Sequence, residues 1–129
     1  MGRIGISGAG LTAGLVGLAF IAGYAVAQVA GSQTGREPQF ENAQVKVWKS
    51  LVLPHNPLPM HRHEHPRVII ALKGGTMDIV TDAGVHDLHV WKTGHAYWLP
   101  ANPPGTHHQD VNVGEAPIEV MVVELETAS

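Results

Sequence analysis

The sequence predicts an all-β barrel or sandwich. Three observations carry that expectation. Beyond residue 40 the apolar residues fall in short runs that alternate or pack tightly, the pattern of half-buried and buried strands. Glycine, proline and aspartate punctuate those runs at close intervals, as hairpins and strand connections require. No helical periodicity of useful length occurs in the same region. Seven or eight short strands with such turns imply a jelly roll, sandwich or barrel.

The N-terminal part differs from the rest. Residues 4–27 carry no charge, Arg3 precedes them, and Ala25-Val26-Ala27 forms a small-x-small site before Gln28. This pattern is that of a secretory signal peptide over residues 1–27. An uncleaved membrane anchor is the alternative, because the apolar stretch is long enough to span a bilayer. The expected location is therefore secreted or periplasmic, or anchored and facing the periplasm or exterior. Residues 28–42, "QVAGSQTGREPQFEN", are polar with glycine and proline and read as a linker or docking arm. A single domain over 43–129 follows.

Within that domain, "AQVKVWKSLVL" (43–53) reads as a strand closed by "PHNPLP". "PRVIIALKGG" (66–75) suits a buried strand ending in a turn. "TMDIVTD" (76–82) and "VHDLHVWK" (85–92) flank Ala83-Gly84 as a hairpin. "GHAYWLP" (94–100), "HHQDVN" (107–112) and "PIEVMVVELE" (117–126) complete the series.

Composition bounds the chemistry. The 129-residue chain has a formal charge of −3 and no basic patch, which argues against nucleic acid and anionic membrane surfaces as partners. A membrane is a partner only if residues 1–27 are retained. There is no cysteine, so thiolate ligands, a cysteine nucleophile and disulfides are all excluded. Any metal must sit on imidazole, carboxylate or water.

The stretch "MHRHEHPR" places His61, His63, His65 and Arg67 at alternate positions. On an extended chain these share a face. Neutral imidazoles suit a metal, whereas a permanently charged guanidinium repels one. Pro66 moves His65 toward a turn.

These residues carry a resemblance to the cupin family of small jelly-roll barrels. The family's first motif is His-x-His, three or four residues, Glu, six residues, Gly. Here His61, His63 and Gly74 keep the spacing, but Arg67 stands at the acid, and His55 replaces the glycine expected six residues before His61. The second motif, Pro-x-Gly-x-x-His-x-x-x-Asn, is complete in "PPGTHHQDVN" with Pro103, Gly105, His108 and Asn112. The motif's leading glycine, expected six residues before the proline, matches Gly94 only if Pro100 is counted, so "ANP" (101–103) resembles a three-residue insertion.

The resemblance implies a cupin barrel with one divalent transition metal (iron, nickel, copper, zinc or manganese) on His61, His63 and His108. Glu64 and His65 are secondary ligand candidates. Lacking the acid, the triad is expected to be neutral, leaving the ion its full charge to polarise an anionic ligand. Arg67 at about 6 Å from such an ion would be repelled by roughly 5 kcal/mol at an effective dielectric of about 20. It must turn away, pair with Glu64 or another acid, or meet an anionic ligand. Arg67 and Tyr97 are the candidates for orienting that small molecule, and Asn112 for holding a turn.

Some thiol and diketone dioxygenases of the superfamily use all-histidine triads, so oxygen-dependent chemistry is one implied function. A non-catalytic metal- or ligand-binding module for sensing, storage or envelope homeostasis is the other. No general acid–base pair is evident in the sequence, and a homodimer falls within what the resemblance allows.

Overall fold

The computed structural model describes residues 33–126. The expected signal or anchor segment lies outside the described residues. Among those described there are eight strands and no helix: β1 (Gly35–Glu41), β2 (Val45–Val52), β3 (Arg67–Lys73), β4 (Gly75–Thr81), β5 (His86–Trp91), β6 (Ala96–Leu99), β7 (His108–Asn112) and β8 (Ile118–Leu125). They form a five-stranded sheet ordered β1-β2-β8-β3-β6 and a three-stranded sheet ordered β5-β4-β7.

Period-two alternation selects what each strand turns inward. Strand β2 buries Trp48, Ser50 and Val52, β3 buries Arg67, Ile69 and Ala71, and β8 buries Ile118, Val120 and Val122. With Leu58, Met77, Trp91 and Leu99 these apolar residues make one core. Toward one end of the barrel the inward rows become polar. Arg67 begins the row of β3, Glu124 stands opposite it on β8, and His108 begins the row of β7.

Each strand expected after residue 42 is present, displaced by no more than three residues at either end. The β4–β5 hairpin turns at Ala83-Gly84, where Gly84 has φ +84°. Residues 28–42 require a correction. Their stretch 35–41 is β1, an edge strand paired with β2 from Gly35↔Leu51 to Glu41↔Lys46. The reason it reads as a linker is that almost all of it is exposed and Pro38 interrupts it, so no alternation marks it; edge strands tolerate proline.

Asn112 has the holding role expected of it. Fully buried, it donates from Nδ2 to Val52 O (2.9 Å) and Ala116 O (2.8 Å), and its Oδ1 accepts from Gly114 N (2.9 Å). It thereby ties the β7–β8 turn to β2.

Candidate metal centre

Two backbone hydrogen bonds create the centre. His61 N donates to His108 O (2.8 Å) and His108 N to His61 O (2.7 Å), an isolated antiparallel bridge that brings the two motifs face to face. The rings of His61 and His108 then stand 4.6 Å apart, centroid to centroid, and His63 lies 4.9 Å from His61 and 5.5 Å from His108. One nitrogen from each of the three lies within 4.8 Å of the others. His63 is fixed by Asn102, whose Oδ1 accepts from His63 N (2.6 Å) and whose N donates to His63 O (2.8 Å). The apparent insertion at 101–103 therefore clamps a member of the triad.

The outer nitrogens are already committed. His61 Nδ1 donates to Pro59 O at 2.7 Å, and His63 Nδ1 donates to Glu124 Oε2 at 2.9 Å. In both rings Nε2 is left to offer its lone pair inward, the arrangement by which outer hydrogen bonds orient ligating imidazoles. His61 Nε2 and His108 Nε2 are buried without any hydrogen-bond partner. Burial depresses the His108 pKa to about 4, with His61, Arg67 and His63 adding to it and Asp110 opposing. Burial likewise lowers His63, against its bond to Glu124. Both are neutral at pH 7 and available to a cation.

His107, next in sequence to His108, points outward and is exposed, as strand parity requires. The two secondary candidates do not join the cluster. Glu64 is exposed, and His65 lies in the bend before β3. Tyr97 needs a correction too. Its ring packs on the core and its hydroxyl accepts from Lys92 N at 2.8 Å, so it does not line the cavity.

Arg67 is turned inward and only 4% exposed, with Nη1 donating to Pro100 O at 3.2 Å. It lines a narrow cavity of ≈20 Å³, room for about one water, together with Arg36, Ser50, His63 and Asp110. Ile69, Met77, Ile79, Val120 and Val122 form the apolar walls. Arg36 comes from β1, and its guanidinium sits 4.7 Å above the Trp48 ring in a cation–π contact.

Two carboxylates stand beside the neutral triad. Glu124 backs His63, and Asp110 lies 3.9 Å from His61 Nε2 and 3.6 Å from His108 Nε2. Asp110 follows His108 by two residues on β7, so the parity that groups His61 with His63 places it on the same face. That signal was available in the sequence.

A jelly roll that gathers three imidazoles from two separate motifs at one end of its barrel defines a class, the small β-barrels with a histidine-built site. The fold is that of the cupins. The chain is similar to a cupin domain from Bordetella pertussis Tohama I at 22% identity, over 72% of this chain and 93% of that one, with a TM-score of 0.62. It is similar to an RmlC-like cupin with a double-stranded β-helix fold from Methanocaldococcus jannaschii at 17% identity, over 72% and 80%, with a TM-score of 0.57. A polyketide cyclase from Streptomyces resistomycificus matches at 22% identity, over 74% and 66%, with a TM-score of 0.53. No protein-family model and no curated protein matches the sequence. Likeness at these identities speaks for the fold, and function must come from the site.

Proposed function

We propose that this cupin-fold chain is a secreted or periplasmic protein that holds one divalent transition metal on His61, His63 and His108 and admits a small anionic ligand beside it. The observation that carries the reading is the pair of buried, unpartnered Nε2 atoms of His61 and His108. Buried nitrogens without partners are costly, and a shared cation would satisfy both. Three imidazoles without thiolate suit iron, nickel, copper, zinc or manganese.

When bound, such a metal supplies a Lewis acid with open coordination positions. The chain's own groups would do the rest. Arg67, fixed by Pro100, offers donors to a carboxylate, Arg36 adds positive charge at the mouth, and the apolar walls exclude water from the ligand's other end. Oxygen-dependent, dioxygenase-type chemistry at iron is the enzymatic form of this proposal. The second reading is a non-catalytic metal- or ligand-binding module. It is favoured by how many polar lining groups are already tied, Arg67 to Pro100, His63 to Glu124 and Ser50 to Trp48, leaving few to move a proton.

Metal analysis of protein purified from its native compartment, followed by calorimetric titration with a panel of small carboxylates, tests the proposal. Stoichiometric metal is expected, with carboxylate binding that Arg67→Met weakens at least tenfold. Oxygen consumption with a bound carboxylate selects the enzyme; iron without turnover, or zinc, selects the module. Protein that takes up no metal would refute the reading. Intact mass after cell fractionation checks localisation, with Gln28 as the expected first residue.

A further inference from the structure

The geometry points to Asp110 as a fourth protein ligand of the metal, a carboxylate supplied from β7 in place of the one that Arg67 displaces on β3. This inference rests on the histidine metal site proposed above. Asp110 Oδ2 lies 3.9 Å from His61 Nε2 and Oδ1 lies 3.6 Å from His108 Nε2. Both distances exceed the roughly 2.7–3.2 Å of an N–H···O hydrogen bond, and neither nitrogen has any other hydrogen-bond partner.

Two donors of one ion at about 2.1 Å each are separated by roughly 3 Å when at right angles and about 4.2 Å when opposite. The two Asp110 separations fall between those limits. Asp110 is therefore spaced from the His61 and His108 imidazoles as ligands around a common centre are, and not as a hydrogen-bonding neighbour.

Strand geometry supports the assignment independently. His108 and Asp110 are i and i+2 on β7, so both side chains face the barrel interior, as His61 and His63 do from the first motif. Asp110 also lines the cavity beside His63 and Arg67.

Charge supplies the third argument. A divalent ion on three neutral imidazoles would face Arg67 with its full charge, but with Asp110 ligated the centre carries a net single charge, halving the repulsion. The carboxylate has moved from β3 to β7 relative to the motif, and the charge it brings to the metal is the same as that of the motif's glutamate.

The test uses the full chain stripped of metal by a chelator and titrated with Co²⁺ alone, which reports its ligands through visible absorption. Asp110→Asn keeps the side chain's shape and is expected to bind Co²⁺ at least tenfold more weakly, with an altered absorption envelope. Unchanged absorption, whether affinity falls or not, would mean that Asp110 acts only through its field or not at all, and would overturn the assignment.

A difference infrared spectrum of wild-type protein labelled with ¹³C-aspartate keeps the question open to decision even if the variant does not fold. A carboxylate band that shifts on adding Co²⁺ supports ligation, and one that stays in place refutes it. Wild-type protein that binds no Co²⁺ removes the histidine site itself. Binding with the aspartate bands unmoved removes only the role of Asp110.

Discussion

Glu124→Gln isolates the outer hydrogen bond of the centre. Glu124 Oε2 accepts the Nδ1 proton of His63 at 2.9 Å, between side chains that are 13% and 6% exposed. Burial pushes the carboxyl up, but the hydrogen bond from His63, with nearby His65 and Lys46, outweighs it, so Glu124 stays below its ordinary pKa of 4.5. Glutamine keeps the length and an acceptor oxygen and removes the charge.

A hydrogen bond to a charged group contributes about 1.5–3 kcal/mol and a neutral one about 0.5–1.5 kcal/mol, so the variant should lose about 1 kcal/mol at neutral pH. For a domain of this size that lowers Tm by about 4–8 °C. The loss should shrink in acid. A carboxyl with a depressed folded pKa stabilises the fold above its unfolded value, and that contribution disappears as the pH falls through the lower folded value. Melting curves of metal-stripped protein should therefore separate at pH 7 and converge well below pH 4.5.

Metal affinity should fall about 10–100-fold, equivalent to roughly 1.4–2.7 kcal/mol, because the outer partner sets the orientation and basicity of the imidazole. Competition titration with Zn²⁺ and a chromophoric chelator measures it. Zn²⁺ affinity within twofold of wild type, with equal Tm at pH 7, would refute the reasoning.

Two further substitutions test the backbone around the motifs. His55 occupies the motif's glycine position with φ 54°, a left-handed conformation costing roughly 1–2 kcal/mol for a residue with a Cβ. Its ring reaches only exposed Glu115, at 3.7 Å. His55→Gly should raise Tm by a few degrees after glycine's own entropy is subtracted, and a Tm at or below wild type counts against the strain argument. At Gly74 a Cβ would overlap the Trp91 carbonyl oxygen and come within 2.8 Å of Thr93 N. Both obstacles are backbone atoms, so Gly74→Ala should destabilise by about 1–3 kcal/mol. A urea midpoint unchanged in the variant would show that the corner between β3 and β4 can yield.

How legible the molecule was depends on which physical signal each part carries. Strands β2 to β8 alternate or form apolar runs between Gly/Pro turns, because each buries at least one residue of the barrel lining. Strand β1 buries almost nothing and exists through its pairing with β2, a non-local fact that leaves no periodicity in its own residues. Arg36 was missed with it. The His61, His63 and His108 cluster was legible because motif spacing and strand parity agree. Asp110 satisfies the same parity but stands outside the motif pattern, and Glu124 is reached only through the β3–β8 register. Asn102 lies in a loop, where no periodicity says which backbone it will clamp.

That register also bears on the puzzle of an arginine beside a cation site. Arg67 cannot turn outward, because β3 directs it into the barrel with Ile69 and Ala71 and leaves it 4% exposed. Glu64, the acid nearest in sequence, is exposed. The acids that oppose Arg67's desolvation are Asp110 and Glu124. Those two carboxylates offset Arg67 and one further charge. A divalent ion would then leave one positive charge at the polar end of the cavity, with Arg36 adding a solvent-screened charge at the exposed mouth, and in a partly dry space such an excess favours a counter-charge. On the proposed reading a small anion with its head between Arg67 and the metal meets it, and the ≈20 Å³ within the apolar walls, about one water's room, limits how large its other end can be. The same count predicts the order of affinity. Carboxylate binding should weaken when Arg67 or the metal is removed, and it should weaken most when both are, because each then leaves the anion with less charge to offset its own desolvation.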